Sequence, residues 1–364
     1  MNILHITSGL SEGGVETLLY SFSKLLIERG HSVSILVISK DNVNLKKKFE
    51  ELGVKVIVGK FHNAYNINNI ILIKKYLPYY DIVHIHLFPV QLYAILANIL
   101  LGKRKKKLIT TEHNTWNNRR KYKYLCYLDK WFYRQYHSII GISDDTSDEL
   151  IRWLGEEKFK DKIITVNNGI EQTLKNKKDV SASDFNCSEN DFILVMVARF
   201  DAQKDQETLI KTLFFLPQNV HVIFVGSGET LEYNKNLTFA LQLEKRVFFT
   251  GYRDDVPDIL KIAHLGILCS NWEGFGLSIV EYMLAGLPVL ASNVLGLKSV
   301  VGCSELLYEP KNCQELAEKI LKLMSDETYY NRMKNFCIDR CRCFTIEKMT
   351  DEYLKVYDDL AKSN

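Results

Sequence analysis

The run from Asn271 to Glu281 (N-W-E-G-F-G-L-S-I-V-E) sets two carboxylates eight positions apart around a glycine-rich turn. Gly274 and Gly276 expose backbone N–H groups where a helix opens at Leu277 or Ser278, an arrangement suited to a diphosphate. Glu281, about one turn inside that helix, offers two oxygens to neighbouring hydroxyls such as those of a ribose. Either glutamate alone reads as a surface carboxylate. The pair flanking E-G-F-G reads as a nucleoside-diphosphate site.

Three further loops suit the same ligand. Arg199 and Lys204 lie five apart after a strand-like run, where a planar fork and a point charge could meet one diphosphate. Two solvated cations are the bland alternative. Ser11-Glu12-Gly13-Gly14-Val15-Glu16 joins a strand to a helix, and Gly14 would let a phosphate approach; a plain tight turn fits the loop equally. This loop is not G-x-G-x-x-G, which counts against a nicotinamide enzyme. Thr111-Glu112-His113-Asn114-Thr115-Trp116 follows another strand. There His113 could serve a sugar hydroxyl or an oxyanion, or simply be held by local hydrogen bonds.

These loops need a scaffold, and the rest of the chain supplies a regular one. The 364 residues are 46% hydrophobic and 25% charged, which excludes disorder and fibrous classes and suggests two moderate domains. Apolar strand runs (Asn2–Ser8, Ser32–Ser39, Asp81–His86, Leu108–Thr111, Ser138–Ile142) alternate with segments of helical spacing (Val15–Arg29, Asn69–Tyr76, Val90–Leu101, Lys121–Tyr136, Asp144–Leu154). Ser143 is a predicted N-cap. The polar stretch Thr173–Asn190 interrupts the rhythm, which restarts at Phe192. The expected fold is α/β: two doubly wound Rossmann-like domains facing a central cleft. The expected division is 1–175, 185–345 and a last helix in 346–364.

Eight cysteines show no metal-ligand frame, and no signal segment is recognised, so reduced thiols in a cytoplasmic protein are expected. The longest apolar stretch, Val90–Leu101, is far short of the ~20 residues of a membrane span. No Asp-x-Asp pair occurs, in keeping with a site without metal or cofactor, where Arg199, Lys204 and a helix dipole would carry the charge work.

With these residues in place, the chain resembles the retaining glycosyltransferases of family 4, which have the GT-B fold. The resemblance covers nearly the whole length. It includes Gly13-Gly14-Val15-Glu16, His113, Asn168-Gly169-Ile170, Arg199 with Lys204, Gly226-Ser227-Gly228, Phe249-Thr250-Gly251-Tyr252, Glu273 to Glu281, and Val289-Leu290-Ala291-Ser292 before Gly296. The E-x7-E element is its most specific part. Asp205 departs from the glycine that the family often has after the lysine.

The resemblance implies roles. The first domain would bind the acceptor and the second the donor, with the last helix crossing back to the first. Arg199 and Lys204 would neutralise the leaving diphosphate, Glu273 would hold sugar hydroxyls, and Glu281 would bind the ribose. The backbone of Gly274, Phe275, Gly276 and Leu277 would meet phosphate or sugar, and Tyr252 and Arg253 the base. Gly14 would approach the phosphates, and His113 the sugar or acceptor. The donor is expected to be a UDP-sugar, with a GDP-sugar as the other candidate. The acceptor is expected to be a glycan or polyprenyl-diphosphate-linked glycan of a bacterial surface polysaccharide such as capsule or O-antigen.

Charge is unevenly spread. Residues 1–175 hold 26 basic and 17 acidic side chains, so the negative balance lies in the remainder. Lys103-Arg104-Lys105-Lys106-Lys107, then Arg119, Arg120, Lys121 and Lys123, alternate with Tyr122, Tyr124, Tyr127, Trp131, Phe132 and Tyr133. This pattern suits peripheral contact with anionic lipid at the inner face of the plasma membrane. A solvated loop beside a core-facing aromatic stripe is the structural alternative. Nucleic acid is not expected, because no binding motif accompanies the charge. Competing functions are a sugar-nucleotide epimerase of similar fold and a non-catalytic nucleotide-sugar-binding protein.

Overall fold

The computed structural model describes all residues except 12, 42, 156, 174–178 and 363–364. Glu12 of the first glycine loop, and position 175 with part of the polar boundary stretch, therefore lie outside the described residues.

The chain divides into two compact units, Met1–Ile170 with Ile346–Asn364, and Glu171–Thr345. In the first, seven strands form one parallel sheet: β1 (Asn2–Thr7), β2 (Ser32–Ser39), β3 (Lys55–Phe61), β4 (Ile82–His86), β5 (Leu108–Glu112), β6 (Ser138–Gly141) and β7 (Ile163–Thr165). Their order is β3-β2-β1-β4-β5-β6-β7. Strand alternation feeds two cores. Leu4, Ile6, Leu36, Val83 and Ile85 point to one face, packed by Ile73, Ile95 and Tyr133. Ile3, Ile35, Val37, Ile82 and Ile109 point to the other, covered by Leu19, Phe22 and Leu26 of the helix Gly14–Glu28. The final helix, Ile346–Lys362, closes that same face with Met349, Tyr353, Tyr357 and Leu360. Burial on both faces explains why these strands read as continuous apolar runs.

The second unit repeats the plan with β8 (Phe192–Val197), β9 (Val220–Val225), β10 (Val247–Phe249), β11 (Leu265–Leu268), β12 (Val289–Ser292) and β13 (Leu307–Tyr308), in the order β10-β9-β8-β11-β12-β13. In each sheet the winding reverses once, between β1 and β4 and between β8 and β11. The loops beyond those carboxyl ends flank the crevice where open α/β sheets take their ligands.

Ser143 caps the helix Asp144–Leu154, its Oγ accepting from the Thr146 N–H at 3.1 Å. The expected helix over Lys121–Tyr136 is shorter, Leu125–Arg134, because Asn118–Lys121 forms a separate tight turn of helix. Two short helices have no sequence signal: Lys46–Glu51 buries only Phe49, and Leu297–Val301 spans five residues. No helix among the described residues is long and apolar enough to cross a membrane.

Candidate active site

The second unit's crevice is built by two loops. After β8 the chain runs from Ala198 to Asp205 before the helix Gln206–Thr212; after β11 it runs from Cys269 to Gly276 before the helix Leu277–Leu284. They are stitched together by the Asn271 N–H on the Gln203 carbonyl at 2.7 Å and Asn271 Nδ2 on the Ala202 carbonyl at 2.8 Å. Gly226 and Gly228 hold the first loop from beneath. A Cβ on either would lie 2.0 Å from the Ala198 oxygen or 2.3 Å from the Phe200 oxygen, so only glycine lets the backbones meet.

On this base Lys204 Nζ is paired with Glu273 Oε1. Ser270 Oγ donates to the same oxygen at 2.8 Å, and Gln203 Nε2 donates to the Trp272 carbonyl at 2.9 Å and to Glu273 Oε2 at 3.3 Å. Glu273 is 5% exposed, so this carboxylate is a fixed interior acceptor and not a surface charge. Ser270 and Gln203 are parts of the site that sequence reasoning missed; their positions beside the motif were the available signal.

The glycine turn is equally constrained. Gly276 has φ +83°, and a Cβ there would stand 2.4 Å from Leu297 Cδ2. Gly296 has φ +84°, and a Cβ would stand 2.5 Å from the Glu273 carbonyl oxygen. The Phe275 ring is buried edge-on against Phe344 at 5.3 Å, so Phe275 can offer a ligand only its backbone. Among the described residues the helix beginning at Leu277 has no side-chain cap, and of its first N–H groups that of Ile279 turns back to the Gly276 carbonyl at 2.9 Å. It is fixed to β8 by Ser278 Oγ on the Val197 carbonyl at 2.7 Å, while Tyr282 Oη accepts from the Val197 N–H at 2.6 Å.

Glu281 is half-buried, and no hydrogen bond to its carboxylate is found among the described residues. Burial raises its pKa. The other expected donor residues are placed differently from Lys204. The Arg199 side chain is 68% exposed and lies 3.4 Å from Asp201 Oδ2. Tyr252 is exposed. Arg253 binds the buried Asp255 with both prongs, Nε and Nη2, at 2.7 Å each. The structure thus joins Lys204 to Glu273, gives Arg199 to solvent and Asp201, and engages the Arg253 fork within the protein.

In the first unit, Gly14 opens the helix Gly14–Glu28 after Gly13 and is exposed. His113 Nε2 lies 3.3 Å from His86 Nδ1, and His86 Nε2 lies 3.0 Å from His5 Nδ1. His84 contacts Tyr357 Oη at 2.6 Å and Thr111 Oγ1 at 2.7 Å. Sequence reasoning missed this cluster, although the alternation in I-V-H-I-H already puts both β4 histidines on one face. Burial lowers the pKa of His113 to about 4 and of His5 to about 3, so all these imidazoles are neutral near pH 7. His5, His84 and His86 bring nitrogens within 4.8 Å of one another. Among the described residues, five of their six nitrogens are hydrogen-bonded and only His5 Nε2 has no partner. The three imidazoles are tied into one hydrogen-bonded cluster of the core.

The aromatic stripe after Thr115 divides. Phe132 and Tyr133 enter the core, whereas Tyr122, Tyr124, Tyr127, Leu128 and Trp131 are exposed. Arg119 is held by Asp129 at 3.1 Å, and Arg120 Nη1 donates to the Thr115 carbonyl.

Residues 12–174 match the family described as Glycosyltransferase Family 4, and residues 177–338 match Glycosyl transferases group 1. The O-antigen biosynthesis glycosyltransferase WclY of Escherichia coli is 24% identical over 371 residues, covering 99% of both chains. The N-acetyl-alpha-D-glucosaminyl L-malate synthase of Bacillus anthracis is 26% identical over 302 residues, 78% of this chain and 76% of that protein. In fold, the chain is similar to Anabaena Alr3699/HepE in complex with UDP and glucose, with a TM-score of 0.84 at 21% identity over 98% of this chain and 99% of that one.

Proposed function

Because this chain belongs to the family 4 glycosyltransferases, with two Rossmann-like domains of the GT-B class, we propose that it moves a hexose or N-acetylhexosamine from a nucleoside-diphosphate sugar to an acceptor hydroxyl, with retention of anomeric configuration. A UDP-sugar is the preferred donor; a relative of this chain is a UDP-galactose-dependent transferase of Escherichia coli, and the Anabaena neighbour binds UDP. The acceptor is a glycan or polyprenyl-diphosphate-linked glycan of surface polysaccharide assembly, the setting named for WclY.

The observation that carries this reading is the Lys204–Glu273 pair beside an uncapped helix N-terminus and the unpartnered Glu281. Diphosphate oxygens at the helix N-terminus compete with Glu273 for Lys204. As Lys204 turns to phosphate, the Glu273 carboxylate, still held by Ser270, becomes an acceptor for sugar hydroxyls. Glu281 receives the ribose diol. Arg199, exposed at the rim, swings onto the diphosphate as the anomeric bond loosens. The acceptor hydroxyl attacks from the same face and passes its proton to the departing phosphate oxygen. Lys204, Arg199 and the helix dipole supply the charge stabilisation without a metal ion. His113, neutral at pH 7, acts in this scheme only as a hydrogen-bonding group, not as an acid.

The first unit is proposed to bind the acceptor. Exposed Tyr122, Tyr124, Tyr127 and Trp131, together with the cations of residues 103–107, support contact with anionic lipid.

A thermal-shift panel of UDP, GDP, NAD, UDP-sugars and GDP-sugars tests the donor reading. A ligand that binds only the folded state adds about 2.7 kcal/mol at a hundredfold excess over Kd. Stabilisation by one nucleoside diphosphate and its sugars, unchanged by EDTA, is expected; a response to NAD alone sinks it. An inverted linkage in the product would reject retention.

A further inference from the structure

Three imidazoles form a line through the first unit. His5 sits in the middle of β1, His86 is the last residue of β4, and His113 follows the end of β5. The line therefore starts inside the sheet and ends at its carboxyl edge, beside the β1–β4 reversal where such sheets take their ligands. His5 Nδ1 lies 3.0 Å from His86 Nε2, and His86 Nδ1 lies 3.3 Å from His113 Nε2. The outer nitrogens, His5 Nε2 and His113 Nδ1, have no hydrogen-bond partner among the described residues.

Burial keeps these rings neutral near pH 7. A neutral imidazole has one N–H and one bare nitrogen, and each contact needs a donor facing an acceptor. The rings are therefore coupled: placing one proton places the others. In one pattern every proton is on Nδ1. His5 then donates to His86, His86 donates to His113, and His113 Nδ1 keeps an N–H for an outside acceptor. In the other pattern every proton is on Nε2. His113 then donates to His86, His86 donates to His5, and His5 Nε2 is left with an N–H inside the core.

The two ends of the line decide between the patterns. His5 is fully buried in a central strand, with the Phe22 ring 5.7 Å away. An N–H there would stay unanswered, and an unanswered buried N–H is a rarer defect than an unanswered acceptor. His113 is half-buried at the start of a loop. Loops rearrange more readily than central strands, so an N–H on His113 can find an outside oxygen. His84 stacks on His86 with ring centroids 4.2 Å apart, but both its nitrogens meet hydroxyls, which donate or accept equally. His84 therefore leaves the direction to the other three.

We propose that His86, oriented by His5, is a positioning residue that holds His113 with its proton on Nδ1, so that the group His113 can offer a substrate is a donor and not a lone pair. The transferase reading enters only in the identity of the oxygen that would accept, a hydroxyl of the sugar or of the acceptor.

The test is long-range proton–nitrogen NMR of the imidazole rings in the full chain carrying isotope-labelled histidine, near neutral pH and without ligand. His5, His86 and His113 should each show a protonated Nδ1 and a bare Nε2, in about tenfold excess or more over the opposite form. A protonated Nε2 on His113, or an even mixture of forms, overturns the proposal. His86→Met removes the donor to His113 Nε2 and should return His113 to a mixture. An unchanged Nδ1 form in that variant overturns the role of His86. A purely structural role for His86 would alter the melting temperature and leave the His113 proton in place. The wild-type spectrum needs no substitution, so the assignment is tested even if His86→Met does not fold. Failure of UDP to bind would remove the donor reading and leave this proton assignment standing; the opposite tautomer beside normal UDP binding would do the reverse.

Discussion

Lys204 donates to the Glu273 carboxylate inside the second unit, where the two side chains keep only 15% and 7% of their surface. Ser270 shares the same acceptor oxygen. The pair is therefore both a structural contact and the proposed donor-binding element, and the two roles can be separated. Removing one partner leaves the other a buried charge without its counter-ion, which costs about 3–5 kcal/mol. Lys204→Met should lower stability by that amount in urea titration. The double variant Lys204→Met with Glu273→Met should recover most of it, because an apolar pair replaces a buried ionic one with little loss. UDP binding should not return. A double variant as unstable as the single one would show that Glu273 does not depend on Lys204.

Glu281 gives a prediction with a sign. Burial raises its folded pKa. Between the unfolded value, about 4.3, and the raised folded value, the folded state holds more protons than the unfolded state, so stability contributed at low pH is lost as pH rises. Glu281→Gln should therefore be at least as stable as the parent at pH 7 and lose that pH dependence, measured by melting temperature from pH 4 to 8. The same variant should discriminate less between UDP and its 2′-deoxy analogue. Equal discrimination would place the ribose elsewhere.

The histidine cluster has the opposite slope. His5 falls to about 3 and His113 to about 4 on burial, with His84 and His86 also lowered. Unfolded histidines take up protons below about 6.5, so stability is full above that pH and is lost as pH falls towards the folded values. His5 alone should account for about 3 kcal/mol between pH 6.5 and 4. His5→Phe should flatten the acid limb of a melting-temperature profile; an unchanged limb would show that another group carries it.

The proposed membrane contact rests on exposed Tyr127 and Trp131 and on the cations of residues 103–107. Flotation with phosphatidylglycerol-rich vesicles should carry the protein at low salt and release it as salt rises, each surface cation being worth about 1 kcal/mol. Tyr127→Ser with Trp131→Ser should reduce binding without changing the melting temperature. Flotation equal on neutral vesicles would remove the electrostatic account.

The fold was largely legible because strands buried on both faces announce themselves as apolar runs and most helices carry a periodic stripe. What escaped was weakly patterned: Lys46–Glu51 buries one phenylalanine, and β13 is two residues long. At the site, E-x7-E marked Glu273 and Glu281, but linear spacing could not say which cation would meet which carboxylate. Arg199 and Lys204 look equivalent in sequence; the loop turns one towards solvent and the other onto Glu273. Arg253 looked available until Asp255, two residues on, proved to fill its fork.

The most direct test of the donor site is calorimetric titration of UDP into the wild-type protein, Lys204→Ala and Glu281→Gln. The account predicts saturable one-site binding to the wild type and a loss of at least about tenfold in affinity, near 1.4 kcal/mol, in each variant. UDP binding of unchanged affinity in both variants would contradict it.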